Sequence, residues 1–533
     1  MKRTHLVAPL IVALAACWGQ TGLGQEKLPA PPQVSKAEDQ DNQSFVLAPE
    51  TDGHWKRVEY YIERNPHADY QQASESARES FRDLKYGIRI VWGVYALRNF
   101  GPDASWPLVQ GMNFEQKQAY QQLYREFNPK DFNAEAWMQM FKRNGLKMFA
   151  FTTKHHDGFS LYDTQTRVKQ RVNWAAPGGP RLESCDVAYS IMETPFRRDI
   201  VKELCDAARQ YDIKIDLYFS HPDWYDADFR PYIWHPVPTP YAQTHSAEFG
   251  KGVMGGPDGA LAGGPHWLGP DKTAEETERM LRRHREQLTE LLTRYGKIDM
   301  VCLDMWMGPN VWPQMRETMK MLRRIQPDVM FRARGIGNYG DYYTPEGFVP
   351  GAKENTRMPW MVIHPLGGGF SYVMNDRYRG GDWIVSNLVD AVAKGGNFMP
   401  AIGPDANGLF DPKAIEALEY AGTWLKVNGQ AIYATRPRDG DVWREGNDVL
   451  FTRSKDNKNV YAICLKWPGK TLTLKSVRPA EGAAITMLGV AEPLKWKHAS
   501  GAGLQIEIPD PLQDEKSRPC QCAWALRITP VQP

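Results

Sequence analysis

At 533 residues the chain is long enough for two or three domains and a large core. Its formal net charge of +2 leaves no electrostatic footprint for nucleic acid or an anionic membrane surface, so neither is expected as a partner. The 18 Trp and 23 Tyr residues suit a site where flat rings stack on sugar faces, although a large loop-rich core would use the same residues.

Lys2 and Arg3 precede an apolar run from Leu6 to Ala16 that is too short to span a bilayer, so residues 1–25 read as an export signal. The run ends Leu14, Ala15, Ala16, Cys17, which resembles a bacterial lipobox and implies a lipid anchor at Cys17. The alternative is ordinary cleavage near Ala16 or after Gly24. Either way the expected location is the periplasm or the bacterial cell surface. Export permits disulfides among Cys185, Cys205, Cys302, Cys464, Cys520 and Cys522. Cys302 lies inside an apolar run and reads as a buried free thiol, while Cys520 and Cys522 are too close to pair easily with each other. No CxxC pair points to structural zinc, and no cofactor is expected.

Residues 26–80 read as a polar, Pro-containing tether and a helical lead-in. The stretch Tyr86 to Gly93 reads as a strand closed by a Gly turn. Asn133 can cap a helix that places Trp137, Met140 and Phe141 on one face before Gly145. A strand from Met148 to Thr153 runs into Lys154-His-His-Asp-Gly-Phe159. A helix from Asp199 to Tyr211 precedes a strand from Ile213 to Phe219. Residues 236–270 are rich in Pro and Gly and read as a long loop. Thr273 and Glu276 have capping-box spacing and open a helix to Tyr295. Further strands end at Asp304 and near Arg334, and others are expected at Trp360–His364 and after Gly395. Helices are expected from Met315, Trp383 and Lys413.

This alternation over residues 81–435 predicts an α/β fold, a (β/α)8-like TIM barrel whose strand count the pattern does not fix. From residue 436 to 533 the texture becomes short alternating runs such as Val449–Thr452, Val460–Cys464 and Leu504–Ile508, which predicts an antiparallel β-sandwich.

In a barrel the strand ends carrying Trp92, His155, His156, Asp157, Tyr218, Trp224, Asp304, Arg334 and Glu346 would converge on one mouth. Two carboxylates there suit glycoside hydrolysis, with Asp304 attacking the anomeric carbon and Glu346 protonating the leaving oxygen. A helix cap or a surface ion pair is the plainer reading of either acid alone. The adjacent His155 and His156 make a poor chelate on a strand, where neighbours point apart. At a strand end, with Asp157 and Asp304, they could hold a metal, which would define a metal-dependent hydrolase instead.

The motif Lys154-His-His-Asp-Gly-Phe159 resembles the KHHDGF segment of the family 29 α-L-fucosidases. The segment Tyr86 to Gly93 is similar to that family's FGIFIHWG strand. Leu217–Ser220 with Asp223 and Trp224, Lys394–Asp405 and Asn428–Tyr433 resemble further family segments in the same order. The resemblance implies an exo-acting, retaining hydrolase of glycans. Asp304 falls on the family's nucleophile, and Arg334 followed twelve positions later by Glu346 falls on its arginine and acid/base, with Glu354 as reserve. It also implies sugar contacts for His155, His156, Trp106 and Tyr218, and places Trp360 on a family pocket tryptophan.

Three positions depart from the family pattern. Val91 stands where a sugar-reading His is usual, Ser105 where a Glu precedes the pocket Trp, and Met361 where a Glu follows Trp360. Arg89 and Arg332 are gained, and whether Arg89 faces the pocket is open. Losing two polar partners of buried sugar hydroxyls would weaken plain fucose by roughly 2–6 kcal/mol. The expected sugar is therefore a sulfated or otherwise substituted fucose, or L-galactose. A sugar-binding lipoprotein without catalysis is the competing reading that the same departures motivate.

Overall fold

A computed structural model describes residue 58 and residues 61–98, 103–249, 267–351 and 358–532. The leader, Cys17, most of the tether and the reserve acid Glu354 lie outside the described residues.

Seven parallel strands form the main sheet: β1 (Gly87–Ile90), β2 (Met148–Lys154), β5 (Lys214–Ser220), β6 (Met300–Asp304), β7 (Met330–Phe331), β8 (Met361–Pro365) and β9 (Asn397–Ile402). They lie in the order β7-β6-β5-β2-β1-β9-β8. Between β2 and β5 the chain also forms an antiparallel hairpin of β3 (Val168–Asn173) and β4 (Arg181–Val187).

The two edges of the sheet are joined by residues 342–346. Tyr342 pairs with Arg332 on one side, and Tyr343 and Glu346 pair with Trp360 and Ile363 on the other, all in parallel. The Ala333 N–H donates to the Tyr342 carbonyl at 2.8 Å, and the Ile363 N–H donates to the Pro345 carbonyl at 3.1 Å. Pro345 has no N–H to give, so this closing segment makes bridges rather than a full ladder. The barrel is thus TIM-like but irregular, and Glu346 rides on its irregular stave.

The helices between strands bury single faces against the sheet. Helix Ala134–Arg143 buries Trp137, Met138, Met140 and Phe141 and is capped by Asn133. Helix Ala274–Thr293 opens with the Thr273–Glu276 capping box.

Alternation along the strands sorts the barrel interior into layers. On β6, Met300, Cys302 and Asp304 share the inner face, while Val301 and Leu303 pack outward. The floor is built from Met148, Met300, Met330, Met361 and Met399, closed from below by Phe81 of helix Glu75–Leu84, whose ring lies 5.0 Å from Tyr342. Unbranched Met fills such an uneven space well. The middle layer is charged: Arg89, Asp216 and Arg332, with Cys302 among them. The top layer is the mouth.

The last hundred residues form the second unit. A sheet containing strands 449–453, 460–464, 524–531 and 479–487 faces a three-stranded sheet of 471–474, 503–507 and 496–499. Phe451, Leu474, Ile485, Leu504, Ile506 and Leu526 meet between them in one apolar core. The described cysteines, Cys302 included, are free thiols.

Candidate active site

β6 delivers Asp304 to the mouth. Met305 turns the chain at once with φ of 65°, and Gly335, which follows Arg334, packs against its carbonyl. A Cβ at Gly335 would stand 2.5 Å from that oxygen, so only Gly lets the two loops close together. Arg334 is buried beneath them. Its Nη1 donates to Asp304 Oδ1 at 2.8 Å and its Nη2 to Glu346 Oε2, so one guanidinium carries both carboxylates. Arg332 stands behind, 3.6 Å from each. Tyr218 Oη donates to Asp304 Oδ2 at 2.7 Å, and His156 Nε2 lies 3.8 Å from the same oxygen.

Burial works against ionisation of Glu346, but Arg334, aided by Arg332 and Arg89, outweighs it and holds the carboxyl below the usual glutamate range. The side chain is 36 % exposed, so it meets the mouth rather than the core. Asp103, on the loop after β1, is pushed up to about 6 by burial and then by the Glu346 charge. Burial drives His156 down to about 4 and His155 well below its ordinary value, so both rings are neutral at pH 7.

Each residue of the Lys154–Gly158 motif has a distinct task. The Lys154 ammonium is sealed behind β2, 3.9 Å from Asp223 and over the Phe219 ring. His155 hydrogen-bonds Ser105 and its ring stacks at 5.6 Å on Tyr218. His156 hydrogen-bonds Ser220, which is paired with Asp304 across the sheet. Asp157 accepts from Tyr120 Oη at 2.7 Å. Gly158 has φ of 80°, and a Cβ there would meet Asp223 Oδ1 at 2.1 Å. Asp223 in turn accepts from Arg283 at 2.6 Å and anchors the loop carrying Trp224.

Trp106 lies 5.3 Å from His156, 5.4 Å from Trp224 and 5.2 Å from Trp234. Trp306 continues this wall, 5.9 Å from Trp234. The structure thus brings together Asp304, Glu346, Arg334, Tyr218, His155, His156, Trp106 and Trp224. Trp234 and Trp306 join them from loops that carry no periodic pattern.

Two expected sugar-binding residues are placed elsewhere. Trp92 is fully buried among Phe127, Phe132 and Trp137, with its Nε1 donating to the Asp405 carbonyl at 3.0 Å. Trp360 precedes β8, at the end of the barrel away from the mouth, and packs on Tyr343 and against Gly396. Met361 belongs to the methionine floor, so its departure from the family pattern removes nothing from the mouth. The Ser105 hydroxyl is committed to His155, and Val91 is 2 % exposed. Arg89 faces inward, 4.5 Å over the Tyr218 ring. Among the described residues, no group of three or more His, Cys, Asp or Glu side chains is arranged to hold a metal ion.

Paired carboxylates and an indole wall at a barrel mouth are the equipment of glycoside hydrolysis, and fold and site together assign the chain to that class. Comparison with known proteins narrows the class. The Alpha-L-fucosidase family model matches residues 61–430, and the Alpha-L-fucosidase C-terminal domain matches residues 444–529. The chain therefore belongs to the α-L-fucosidase family. It is 28 % identical over 477 residues to plasma alpha-L-fucosidase of Homo sapiens, covering 85 % of this chain and 89 % of that one. With the tissue alpha-L-fucosidase of Homo sapiens it shares 27 % over 480 residues, covering 85 % and 89 %. Among solved structures it resembles alpha-L-fucosidase isoenzyme 1 from Paenibacillus thiaminolyticus, with a TM-score of 0.65, 24 % identity, and coverage of 86 % of this chain and 99 % of that one. An alpha-L-fucosidase from Bacteroides thetaiotaomicron gives a TM-score of 0.67 at 21 % identity, covering 88 % and 98 %.

Proposed function

We propose that the protein is an exo-acting, retaining glycosidase that releases a terminal α-L-fucose, or a modified relative of it, from a glycan. The Asp304 carboxylate attacks the anomeric carbon while the proton of Glu346 passes to the glycosidic oxygen, which leaves with the bonding pair. In the second half Glu346, now a carboxylate, takes a proton from water, and that water displaces Asp304 from the sugar. Two inversions give net retention. The observation that carries this reading is the single Arg334 guanidinium holding both carboxylates. That arrangement keeps them as close neighbours, in keeping with the about 5–5.5 Å spacing of retaining enzymes rather than the wider inverting one.

The two neutral histidines and Tyr218 can donate to or accept from sugar hydroxyls, and Trp106 offers a ring face. The missing polar groups at Val91 and Ser105 support a preferred sugar other than unmodified fucose, such as a sulfated or otherwise substituted fucose or L-galactose. Residues 1–25 support export to the periplasm or the cell surface, with a lipid anchor at Cys17.

The test is Asp304→Ala. It should abolish nearly all turnover of an aryl α-L-fucoside, and azide should restore part of it as the β-fucosyl azide. Full activity in that variant would end the nucleophile assignment. Sugar binding without hydrolysis by the wild type, across a glycan panel, would support the binding-protein reading instead.

A further inference from the structure

We propose that the pocket accepts a sugar bearing an oxyanion substituent, a sulfate ester or a carboxylate, and that the Arg89 guanidinium receives it with Arg332 behind. This deepens the hydrolase reading above and rests on it.

The residues concerned lie in the charged middle layer of the barrel. Arg89 is 5 % exposed, stands on β1 and lies over the ring of Tyr218, the same Tyr218 that donates to the nucleophile candidate. Its Nη1 donates to Cys302 Sγ at 3.3 Å, while its buried Nε has no hydrogen-bond partner. Arg332 is fully buried and donates from Nη1 to the same sulfur at 3.1 Å. Its Nε and Nη2 also lack hydrogen-bond partners, although Nη2 lies 3.6 Å from Glu346 Oε2. For hydrogen bonds the two guanidinium groups thus share one weak sulfur acceptor, Arg332 having besides it the 3.6 Å ion pairs to Asp304 and Glu346. Buried donors left this way are disfavoured, and buried polar groups are normally paired.

The charges around these donors come close to cancelling. Arg89, Arg332 and Arg334 face Asp304 and Glu346. Asp216, the acid of the same layer, is pushed up to about 7 by burial despite Arg89 and Arg332, so at neutral pH it supplies only part of a charge. Burial works against the Arg89 charge, but its neighbours, the Asp304 and Glu346 carboxylates among them, outweigh it. With Asp103 beside Glu346 the charges of the mouth roughly balance, so what a bound sugar would meet from below is the under-used donors of Arg89 and Arg332 rather than a net charge. A sugar hydroxyl can accept a hydrogen bond there but brings no charge. A sulfate or carboxylate brings both, and its oxygens match the planar fork of an arginine.

The experiment compares kcat/KM of the wild type and Arg89→Met on an aryl α-L-fucopyranoside, on its 2-, 3- and 4-O-sulfates, and on the aryl α-L-galacturonide. One anionic substrate should exceed the neutral fucoside by about ten- to a hundredfold in the wild type. In Arg89→Met that ratio should fall towards one. The sulfate and uronide arms tell which oxyanion is meant. Best turnover of the neutral fucoside by the wild type, or an unchanged ratio in the variant, overturns the inference. Should Arg89→Met not fold, calorimetry on the wild type decides: monosulfated fucose or galacturonate should bind at least about tenfold tighter than fucose, and equal binding refutes the idea. If no fucoside of any kind is cleaved, the hydrolase reading fails separately, and the calorimetric comparison still stands.

Discussion

Arg334 is the residue whose removal tests the pairing of the two carboxylates most sharply. Its side chain is 3 % exposed and hydrogen-bonded to both Asp304 and Glu346. Removing one partner of a buried ion pair costs about 3–5 kcal/mol. Arg332, 3.6 Å from each carboxylate, can recover part of that. Arg334→Met should therefore destabilise the fold by about 2–4 kcal/mol, and kcat/KM should fall because both carboxylates lose their common support. The pH profile carries the sign. Glu346 must be protonated to assist departure of the leaving group, and the arginines hold it below the ordinary glutamate range. In the wild type the basic limb of kcat/KM thus falls at acidic pH. Without Arg334 the Glu346 pKa rises, so the proton is kept to higher pH and the limb moves up. The assay is kcat/KM against pH on two aryl α-L-fucosides, one releasing an acidic phenol and one a weakly acidic phenol. The shift should be plain with the weakly acidic phenol, which needs the proton, and small with the other. A basic limb that stays in place or moves down in Arg334→Met would refute the reasoning.

Further outcomes follow from the walls of the site. Gly158→Ala puts a Cβ into Asp223 and strains a left-handed backbone, costing about 1–2 kcal/mol for the conformation and about 3–5 kcal/mol if Asp223 leaves Arg283. The sum approaches the whole stability of many domains, so a thermal melt should show a large drop, and melting alongside the wild type would contradict the packing. Trp106→Ala should cut kcat/KM by roughly ten- to a hundredfold, because a stacking face is lost, beyond whatever stability the indole wall loses. Trp92→Ala should instead destabilise by about 3–5 kcal/mol while the folded fraction keeps its KM; a KM effect as large as that of Trp106→Ala would place Trp92 back at the sugar.

The barrel and the C-terminal sandwich were legible in the alternation of runs along the chain. Asp304 stands out because the unbroken apolar run from Met300 to Leu303 ends in a carboxylate, the pattern of a buried strand that delivers an acid to its C-terminal end. Helix starts were legible at Asn133, Asp199 and Thr273, whose side chains cap them, whereas the short helices capped by Asn113 and Thr239 went unread. The closing segment at 342–346 was not legible, since Pro345 breaks the donor pattern and the segment makes isolated bridges to both neighbours rather than a ladder. The hairpin at 168–187 also went unread, because its strands are rich in polar and charged residues, mostly half-buried or exposed, and carry little apolar signal. Trp92 and Trp360 show the limit of reading function from a strand end. One ring turns into the layer between sheet and helices, and the other sits at the strand's beginning, not its end. The buried charges of Arg89, Asp216 and Arg332 look like surface residues until the barrel closes around them.

The central claim is that Asp304 carries the sugar between the two half-reactions. Incubating the protein with a 2-fluoro α-L-fucosyl fluoride, followed by intact-mass measurement and peptide mapping, tests it directly. One added 2-fluorofucosyl group is expected, on the peptide containing Asp304. An adduct on any other carboxylate, or turnover that releases the inverted sugar with no adduct, would contradict it.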